Sequence, residues 1–168
     1  MPRATAAPTS GLQFIADQIA EVYGIEQVVL RIEQDIAGRT NLADVRSQLE
    51  RFVSQDQQHL ENLLQVLRMM LGSETGVQPA IDRGRQFAEA ILGASQDTPF
   101  SFVRGLMLLV YQTAVAGRAF MQVQQRIDNQ EILSLLETNH YQDEAHLRYL
   151  ESQLDRAAEE LSGLPIAR

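Results

Sequence analysis

Two segments of the sequence carry the same pair of side chains, an aspartate followed three residues later by a histidine. The pairs are Asp56 with His59 and Asp143 with His146. On a helix, residues three apart lie on one face, so each pair directs a carboxylate and an imidazole toward a common point. A carboxylate is a hard oxygen ligand, and neutral imidazole suits zinc, iron, copper or nickel. The two pairs are therefore candidate metal ligands.

Both pairs lie within otherwise apolar helical seams, whose residues recur at steps of three or four. The first seam reads Val45, Leu49, Phe52, Asp56, His59, Leu63, Val66 and Met70. The second reads Ile132, Leu136, Asn139, Asp143, His146 and Leu150. Burying such polar groups unpaired costs several kcal/mol, so a partner must satisfy them. That partner is either a metal ion or a metal-free Asp–His hydrogen-bond network that sets the register of the helices.

Four long segments carry the apolar period of amphipathic helices: about residues 10–38, 40–72, 98–127 and 128–163. A shorter helix is predicted over about residues 80–94. No segment alternates like a strand bounded by hairpin turns. The short connections make the first and second, and the third and fourth, antiparallel neighbours. The sequence therefore predicts an all-α, up-down-down-up four-helix bundle with a long crossover between its second and third long helices.

The ends of these helices are marked by capping residues. Predicted starts are Ser10 in a Ser-x-x-Gln box, Thr40 or Asn41, Thr98 before Pro99, and Asp128 in an Asp-x-x-Glu box. Predicted ends are Gly38, Gly72 and Ser162-Gly163. These limits divide the chain into a disordered N-terminal segment at 1–10, one bundle domain at 11–163 and a tail at 164–168.

The composition restricts the classes of partner. The chain has 168 residues, a net charge of −8 and no cysteine. The negative charge argues against general nucleic-acid binding, and the lack of cysteine excludes a disulfide framework or a thiolate metal site. The N-terminus has no secretory signal, and no apolar run approaches the roughly 20 residues of a membrane span. We therefore expect a cytoplasmic protein that binds neither nucleic acid nor membrane.

The order of candidate ligands along the chain resembles that of the ferritin-like superfamily of di-iron carboxylate proteins. Those bundles place Glu, Glu-x-x-His, Glu and Glu-x-x-His on four successive helices. The corresponding positions here are Glu26, Asp56 with His59, Gln112, and Asp143 with His146. The resemblance covers about residues 12–162.

Within that superfamily, the chain is similar to a family of stress-induced bacterial proteins of uncertain activity. The similarity lies in the stretches YGIE at residues 23–26, QDQQHLENLLQVL in the second helix and LLETNHYQDEAH in the fourth. It implies a ferritin-like metal-binding protein with a role in stress or redox response. The implied metal is iron, or manganese or zinc.

The sequence departs from the superfamily pattern at three positions. Asp56 and Asp143 stand where glutamates are expected, and aspartate is one methylene shorter. Gln112 stands where the third helix should supply a carboxylate, and no acid occurs between residues 97 and 128. The site would then hold three carboxylates instead of four, which argues against full di-iron oxidase activity. Whether the protein is an enzyme is left open.

Two further residues are alternates for the site. Glu21 flanks the apolar seam of the first helix and is the alternate to Glu26, while His140 lies three residues before Asp143 and could face the same point. The seam of the first helix reads Ile15, Ile19, Val22, Ile25, Val29, Ile32 and Ile36. A single metal, a weak site and a vestigial polar cluster all remain open. The alternative function is a metal-free structural or interaction protein.

A homodimer is also expected. Ferritin-like bundles commonly pair, and the first helix carries apolar residues outside its seam, such as Val28 and Leu30.

Overall fold

The computed structural model describes residues 11–73, 76–123 and 129–162, and the regular secondary structure in these ranges is helical. The five helices are α1 (Gly11–Arg39), α2 (Ala43–Leu71), α3 (Gln78–Gly93), α4 (Pro99–Gln122) and α5 (Gln130–Ser162). The prediction of an all-α fold is confirmed. The predictions for residues 1–10 and 164–168, and for the caps Ser10 and Asp128, lie outside the described residues.

The four long helices pack side by side, and each contacts two neighbours. α1 and α5 each pack against both α2 and α4. α2 and α5 run antiparallel, because their contacts pass from His59 with Gln142 to Gln65 with Glu131. The short connections make α1 antiparallel to α2, and α4 antiparallel to α5. Each long helix therefore lies between two antiparallel neighbours, and α1 lies diagonally across from α5.

α3 carries the chain back along the outside of α1. Its Arg85 donates to Gln27 at 2.8 Å, and Glu89 pairs with Arg31 at 3.3 Å, so residue numbers rise together on the two helices. The two helices are therefore parallel. The connection between α2 and α4 thus runs along the bundle, and α4 starts at the end opposite to the one where α2 finishes.

Two capping predictions agree with the structure. Thr98 caps α4, since its hydroxyl accepts a hydrogen bond from Ser101 N at 3.0 Å, and Pro99 is the first helical residue. Gly72 ends α2 in the left-handed conformation with φ of 71°, and its N–H donates to Arg68 O at 2.8 Å. A left-handed residue strongly favours glycine, which explains why α2 stops there.

Three boundaries differ from the predictions. Thr40 and Asn41 do not cap α2: the residue before its first turn is Leu42, which makes no capping side-chain bond. α1 continues through Gly38 to Arg39. α5 is capped by Asn129, whose Oδ1 accepts from Glu131 N at 3.0 Å. Asparagine is a strong capping residue, and its bond fixes the start one position after the predicted box.

α4 is the most apolar of the helices. It is the one helix in the described part of the chain that is long and apolar enough, by length and composition, to cross a membrane. One third (33%) of its most apolar 18-residue window is buried within the fold. The core helix of a soluble protein passes the same test, so this observation is weak evidence for a membrane span.

Candidate metal centre

Three of the four long helices direct acidic or imidazole side chains into the core. Each helix supplies two residues, and all six are buried: Glu26 and Glu33 from α1, Asp56 and His59 from α2, and Asp143 and His146 from α5. The two glutamates are seven residues apart, which is two helical turns, so they lie on the same face of α1. The six residues form what we call the acid–histidine cluster.

The cluster divides into two groups of three. One comprises Glu26, His59 and Asp143, and the other comprises Glu33, Asp56 and His146. Within each group, one candidate ligand atom per residue lies within 4.8 Å of the other two. Each group takes one residue from each of α1, α2 and α5.

The antiparallel packing of α2 and α5 explains how the groups are composed. In each sequence motif the aspartate precedes the histidine by one helical turn. When two such helices run in opposite directions, the aspartate of one lies level with the histidine of the other. Asp143 therefore meets His59, and Asp56 meets His146. The repeated Asp-x-x-His spacing thus produces two similar three-residue groups, each built across the interface between the helices.

In the first group, the Nδ1 atom of His59 faces the acids. It lies 3.5 Å from Asp143 Oδ1, 3.8 Å from Glu26 Oε2 and 3.9 Å from Asp56 Oδ1. Nδ1 makes no hydrogen bond, whereas Nε2 lies 2.6 Å from the amide oxygen of Gln142. Because an amide oxygen only accepts, Nε2 carries the ring proton in the neutral imidazole. Nδ1 then presents its lone pair to the three carboxylates.

In the second group, His146 faces Glu33. Its Nε2 atom lies 2.6 Å from Glu33 Oε1, yet neither atom has a hydrogen-bond partner. The imidazole ring stacks on Phe52, with the ring centroids 4.0 Å apart and the planes inclined by 12°. This stacking holds the orientation of the ring from the apolar side.

The cluster holds most of the unpaired buried polar atoms in the described residues. Eight buried side-chain atoms there lack a hydrogen-bond partner. Six of them belong to the cluster: Glu26 Oε2, Glu33 Oε1 and Oε2, Asp56 Oδ2, His59 Nδ1 and His146 Nε2. Buried polar groups are nearly always hydrogen-bonded, so such a concentration needs an explanation. Atoms that converge without bonding to one another are what the inner ligands of a cation look like.

Burial raises the pKa of every carboxyl group in the cluster. The pKa of Glu33 rises from 4.5 to about 8, because the folded chain removes it from water. The pKa of Glu26 is raised by burial and then by the charges of Asp143 and Asp56. Burial also raises the pKa of Asp56 and of Asp143, with a further increase from neighbouring acids. Without a cation, Glu33 is therefore largely protonated at neutral pH, and burial shifts the pKa of the other three carboxyl groups in the same direction.

The two histidines shift in the opposite direction. Burial lowers the pKa of His59 from 6.5 to about 4, against a smaller rise from the Gln142 hydrogen bond. Burial likewise lowers the pKa of His146 to about 4, opposed by the charge of Asp56. Both imidazoles are therefore neutral at pH 7, which is the form that binds a metal.

α4 supplies a hydroxyl to the cluster, but no carboxylate. Thr113 is buried, and its hydroxyl lies within hydrogen-bond reach of both the Val110 carbonyl, at 2.8 Å, and the carboxyl group of Asp143. A threonine hydroxyl has one hydrogen, so it donates to only one of these acceptors at a time. Donation to Asp143 lowers the pKa of that carboxyl group, although burial has the larger effect.

The structure brings together five of the six residues selected from the sequence. Gln112 is the exception: its side chain is exposed and lines a surface groove with Gln18, Glu21 and Phe87. The prediction placed Gln112 by analogy of spacing. The neighbouring residue, Thr113, is the one that turns toward the core.

Glu33 was missed by the sequence analysis. The signal that could have found it was its spacing, since Glu33 follows Glu26 by seven residues and Val29 by four. The seam was instead read through Ile32 and Ile36, which are only half-buried, while Glu33 is fully buried. Glu33 supplies the fourth carboxylate, from α1 instead of α4.

The two alternates do not join either group. Glu21 faces α3, where its carboxylate lies 3.9 Å from Arg83. His140 is buried beside the cluster, but its Nδ1 lies 3.1 Å from the Ala114 carbonyl and its Nε2 3.4 Å from Glu144. Its ring nitrogens are therefore engaged outside the cluster.

Comparison with known proteins gave no match to a family model, to a curated protein or to a solved structure.

Proposed function

We propose that this protein is a divalent-metal-binding helical bundle whose ligands are the six residues of the acid–histidine cluster. The observation that carries the proposal is that the six residues converge in two groups and that five of them hold six buried polar atoms without a hydrogen-bond partner. A bound cation satisfies such atoms at once. Burial raises the pKa of all four carboxyl groups and so favours their protonated forms. A bound cation stabilises the ionised carboxylates and takes the place of those protons.

The charge of the cluster suits two cations. Each group contains one glutamate, one aspartate and one neutral histidine. When both acids are ionised, each group carries two negative charges, which one divalent ion neutralises. A mixture of carboxylate oxygen and imidazole nitrogen suits iron, manganese and zinc better than calcium or magnesium, which prefer all-oxygen sites.

The set of candidate ligands in the structure supports the resemblance to the ferritin-like superfamily more strongly than the set selected from the sequence. Four carboxylates and two histidines are the set expected of a di-metal bundle of that superfamily. Here α1 supplies two carboxylates, Glu26 and Glu33, and α4 supplies Thr113 instead of an acid. On this proposal the protein is a cytoplasmic member of that superfamily with a role in stress or redox response. Iron would supply redox chemistry at the site if it is the ion bound.

A metal-free network is the second candidate, and one contact favours it. The pKa of Glu33 is raised chiefly by burial, and the neighbouring carboxyl group of Asp56 opposes part of that rise. Asp56 lies in the same group of three residues, so when protonated it is a candidate donor to Glu33, although no hydrogen bond joins them in this structure. Such a network would hold α1 and α2 in register without a cation. It leaves Nδ1 of His59 and Nε2 of His146 without partners, which is why we prefer the metal.

Elemental analysis tests the two candidates directly. Protein purified without chelator is analysed for iron, manganese and zinc, and chelator-treated protein is then titrated with each ion by calorimetry. We expect bound metal in the first case and saturation at up to two ions per chain in the second. No bound metal and no binding heat with any of the three ions would exclude the metal centre.

The variant Asp56→Asn separates the candidates further. In a metal centre it removes a charged ligand, so bound metal and the melting temperature of the loaded protein both fall. In a metal-free network it removes repulsion while keeping the shape, so the melting temperature holds or rises. Asp35→Asn is the matched control, because Asp35 lies exposed on α1 and pairs with Arg39.

A further inference from the structure

A surface groove runs along the contact between α1 and α4 and holds several oxygen-bearing side chains. Gln18 and Glu21 of α1 and Gln112 of α4 line it, together with Phe87 of α3. Its volume is about 230 Å³, which is room for several water molecules at about 30 Å³ each. This α1–α4 groove can therefore hold a hydrated ion against side-chain oxygens.

A small cavity lies inside the bundle beside the first group of the acid–histidine cluster. Its volume is about 10 Å³, which is about the room of one water molecule. Glu26 and Asp143 of the first group line this inner cavity, and Thr113 lines it from α4. The residues of the second group do not line it. The inner cavity therefore gives a small ion space beside the first group.

Val22 lies between the α1–α4 groove and the inner cavity, because it lines both. It is only 7% exposed, so its side chain fills the contact between the two helices. On α4, Gln112 and Ala116 line the groove. The next residue in each case, Thr113 and Gly117, lines the cavity, and the glycine contributes no side chain to the wall. The wall between groove and cavity is therefore thin, and Val22 is the side chain that closes it.

A second groove, between α4 and α5, does not meet the inner cavity. Arg118 and Arg148 are among the residues that line it, and it shares no lining residue with the cavity. Ala114 lines this groove and His140 lines the cavity, and the Nδ1 atom of His140 lies 3.1 Å from the Ala114 carbonyl oxygen. That contact closes the wall on this side, so the α1–α4 groove is the more direct way to the first group.

We propose that divalent cations reach the acid–histidine cluster through the α1–α4 groove, past Val22 and into the inner cavity. The inference rests on the proposed function, since it concerns how the metal arrives. The ion enters with its water shell and exchanges water for the carboxylates of Glu26 and Asp143 once it has passed Val22. An ion reaches the second group by way of the first, because the residues of the second group do not line the cavity.

The charges along this route suit a cation. Glu21 places a carboxylate at the groove, and Glu26 and Asp143 place two more at the cavity. Glu21 also lies 3.9 Å from Arg83, but both side chains are partly exposed, and such an ion pair is weak. A passing cation can therefore replace the arginine. The route also gives a role to Glu21 and Gln112, which the sequence selected as candidate ligands and which do not join the cluster.

The rate of metal uptake tests the route. Chelator-treated protein is mixed with Co(II) in a stopped-flow instrument, and the visible absorption of the bound ion is followed with time. Val22→Ala removes two carbon atoms from the wall, so we expect uptake to be about tenfold faster. Val22→Ile adds one carbon atom and should slow uptake. The equilibrium affinity should change little in either variant, because Val22 is not a ligand.

Val66→Ala is the matched control for Val22→Ala. Val66 lies in the same apolar core cluster but lines neither the groove nor the inner cavity. The substitution loosens the core equally, so it speeds uptake only if ions enter by a general opening of the bundle. Equal rates in the two variants would overturn the route and leave the metal centre standing. No absorption from bound Co(II) in the wild-type protein would overturn the proposed function, and the route with it.

A plug in the groove tests the entrance without disturbing the core. The chain has no cysteine, so Gln112→Cys introduces the sole thiol, and a bulky maleimide is attached to it. We expect the labelled protein to take up Co(II) about tenfold more slowly or worse, with the same final absorption. Tyr111→Cys with the same label is the control, because Tyr111 is 55% exposed and lines the groove between α4 and α5. Equally fast uptake by the two labelled variants would overturn an entrance at the α1–α4 groove.

Discussion

The Nε2 atom of His146 lies 2.6 Å from Oε1 of Glu33, yet the two atoms do not form a hydrogen bond. They come from α5 and α1, which lie diagonally across the bundle, so the contact spans its centre. Each atom is buried and has no other partner. Both atoms therefore remain available to a cation bound at the centre of the bundle.

Glu33→Gln should reduce metal binding without harming the folded chain. Burial raises the pKa of Glu33 to about 8, so the side chain is neutral at pH 7 when no metal is bound. Glutamine reproduces that neutral shape but cannot become an anionic ligand. We expect affinity for Fe(II), Mn(II) or Zn(II) to fall by about tenfold or more, measured by calorimetry. The melting temperature of the chelator-treated variant at pH 7 should hold or rise, because glutamine does not ionise in the unfolded chain as glutamate does.

Asp35→Asn is the control for this experiment. Asp35 lies on α1 two residues after Glu33, but it is exposed and pairs with Arg39 at 2.6 Å. Its substitution should leave affinity unchanged. Equal affinity in Glu33→Gln and wild type would remove Glu33 from the ligand set.

The stability of the metal-free protein should fall as the pH rises from 6.5 to 8. Glu33 has a raised pKa in the folded state, so its contribution to folding stability is fully present below pH 4.5 and is lost as the pH rises to about 8. His59 and His146 have lowered pKa values, so their contribution is lost only as the pH falls from 6.5 toward about 4. Above pH 6.5, only the buried carboxyl groups of the cluster therefore change the folding stability. Each such acid contributes about 1.4 kcal/mol per pH unit.

Metal should reverse that pH dependence. The ion binds the ionised carboxylates and displaces their protons, so affinity rises with pH up to about 8, the pKa of Glu33. Thermal melting with and without a saturating ion, at pH 6.5, 7.25 and about 8, compares the two slopes. A metal-loaded protein whose melting temperature falls in parallel with the metal-free form would contradict binding through these carboxylates.

Gln142→Leu should weaken metal binding through His59. Gln142 accepts from His59 Nε2 at 2.6 Å and so keeps the lone pair on Nδ1, the atom that faces the acids. Leucine removes that acceptor and lets the proton move to Nδ1. Partners of this kind are worth about 10–100-fold in metal affinity, which calorimetry detects. The ring resonances of His59 in NMR should report the change of tautomer directly.

Gln55→Leu is the matched control for Gln142→Leu. Gln55 and Gln142 both immediately precede the aspartate of their motif, so the sequence reads QDQQH and QDEAH. The amide oxygen of Gln55 is buried without a partner, so leucine there removes an unpaired group. We expect unchanged affinity and equal or higher stability. Equal loss of affinity in both variants would point to a general disturbance of the bundle.

The sequence was most informative where spacing and helix direction both constrain a residue. The two Asp-x-x-His motifs were recognised because a polar pair stands out in an apolar seam, and the structure buries all four residues. Their exchange of partners across the helices was not predicted. The predicted up-down-down-up order already makes α2 and α5 antiparallel, but the levels at which their residues meet are set by packing, which no local pattern encodes.

Two errors have a common physical origin. A helical period of 3.6 residues lets a seam drift, so Ile32 and Glu33 compete for the same face of α1. The structure buries Glu33. The same uncertainty of one residue exchanged Gln112 for Thr113 on α4. Periodicity identifies the face of a long helix, but packing against the neighbouring helices decides which of two adjacent residues enters the core.

The close approach of α3 to α1 gives a prediction that does not involve metal. A β-carbon on Gly84 would overlap the backbone carbonyl oxygen of Glu21 and lie 2.9 Å from its carbonyl carbon. Backbone atoms cannot rotate away as a side chain can, so Gly84→Ala must push the two helices apart. Overpacking of this kind costs about 1–3 kcal/mol, which exceeds the gain of up to about 1 kcal/mol from the higher helix propensity of alanine. In a chain of this size we expect the melting temperature to fall by roughly 2–4 °C for each kcal/mol lost.

Gly93→Ala is the matched control at the end of the same helix, where nothing lies within 4 Å of the added β-carbon, so the melting temperature should hold or rise. Equal melting temperatures for Gly84→Ala and Gly93→Ala would show that α3 does not pack against α1 in solution as it does in this structure.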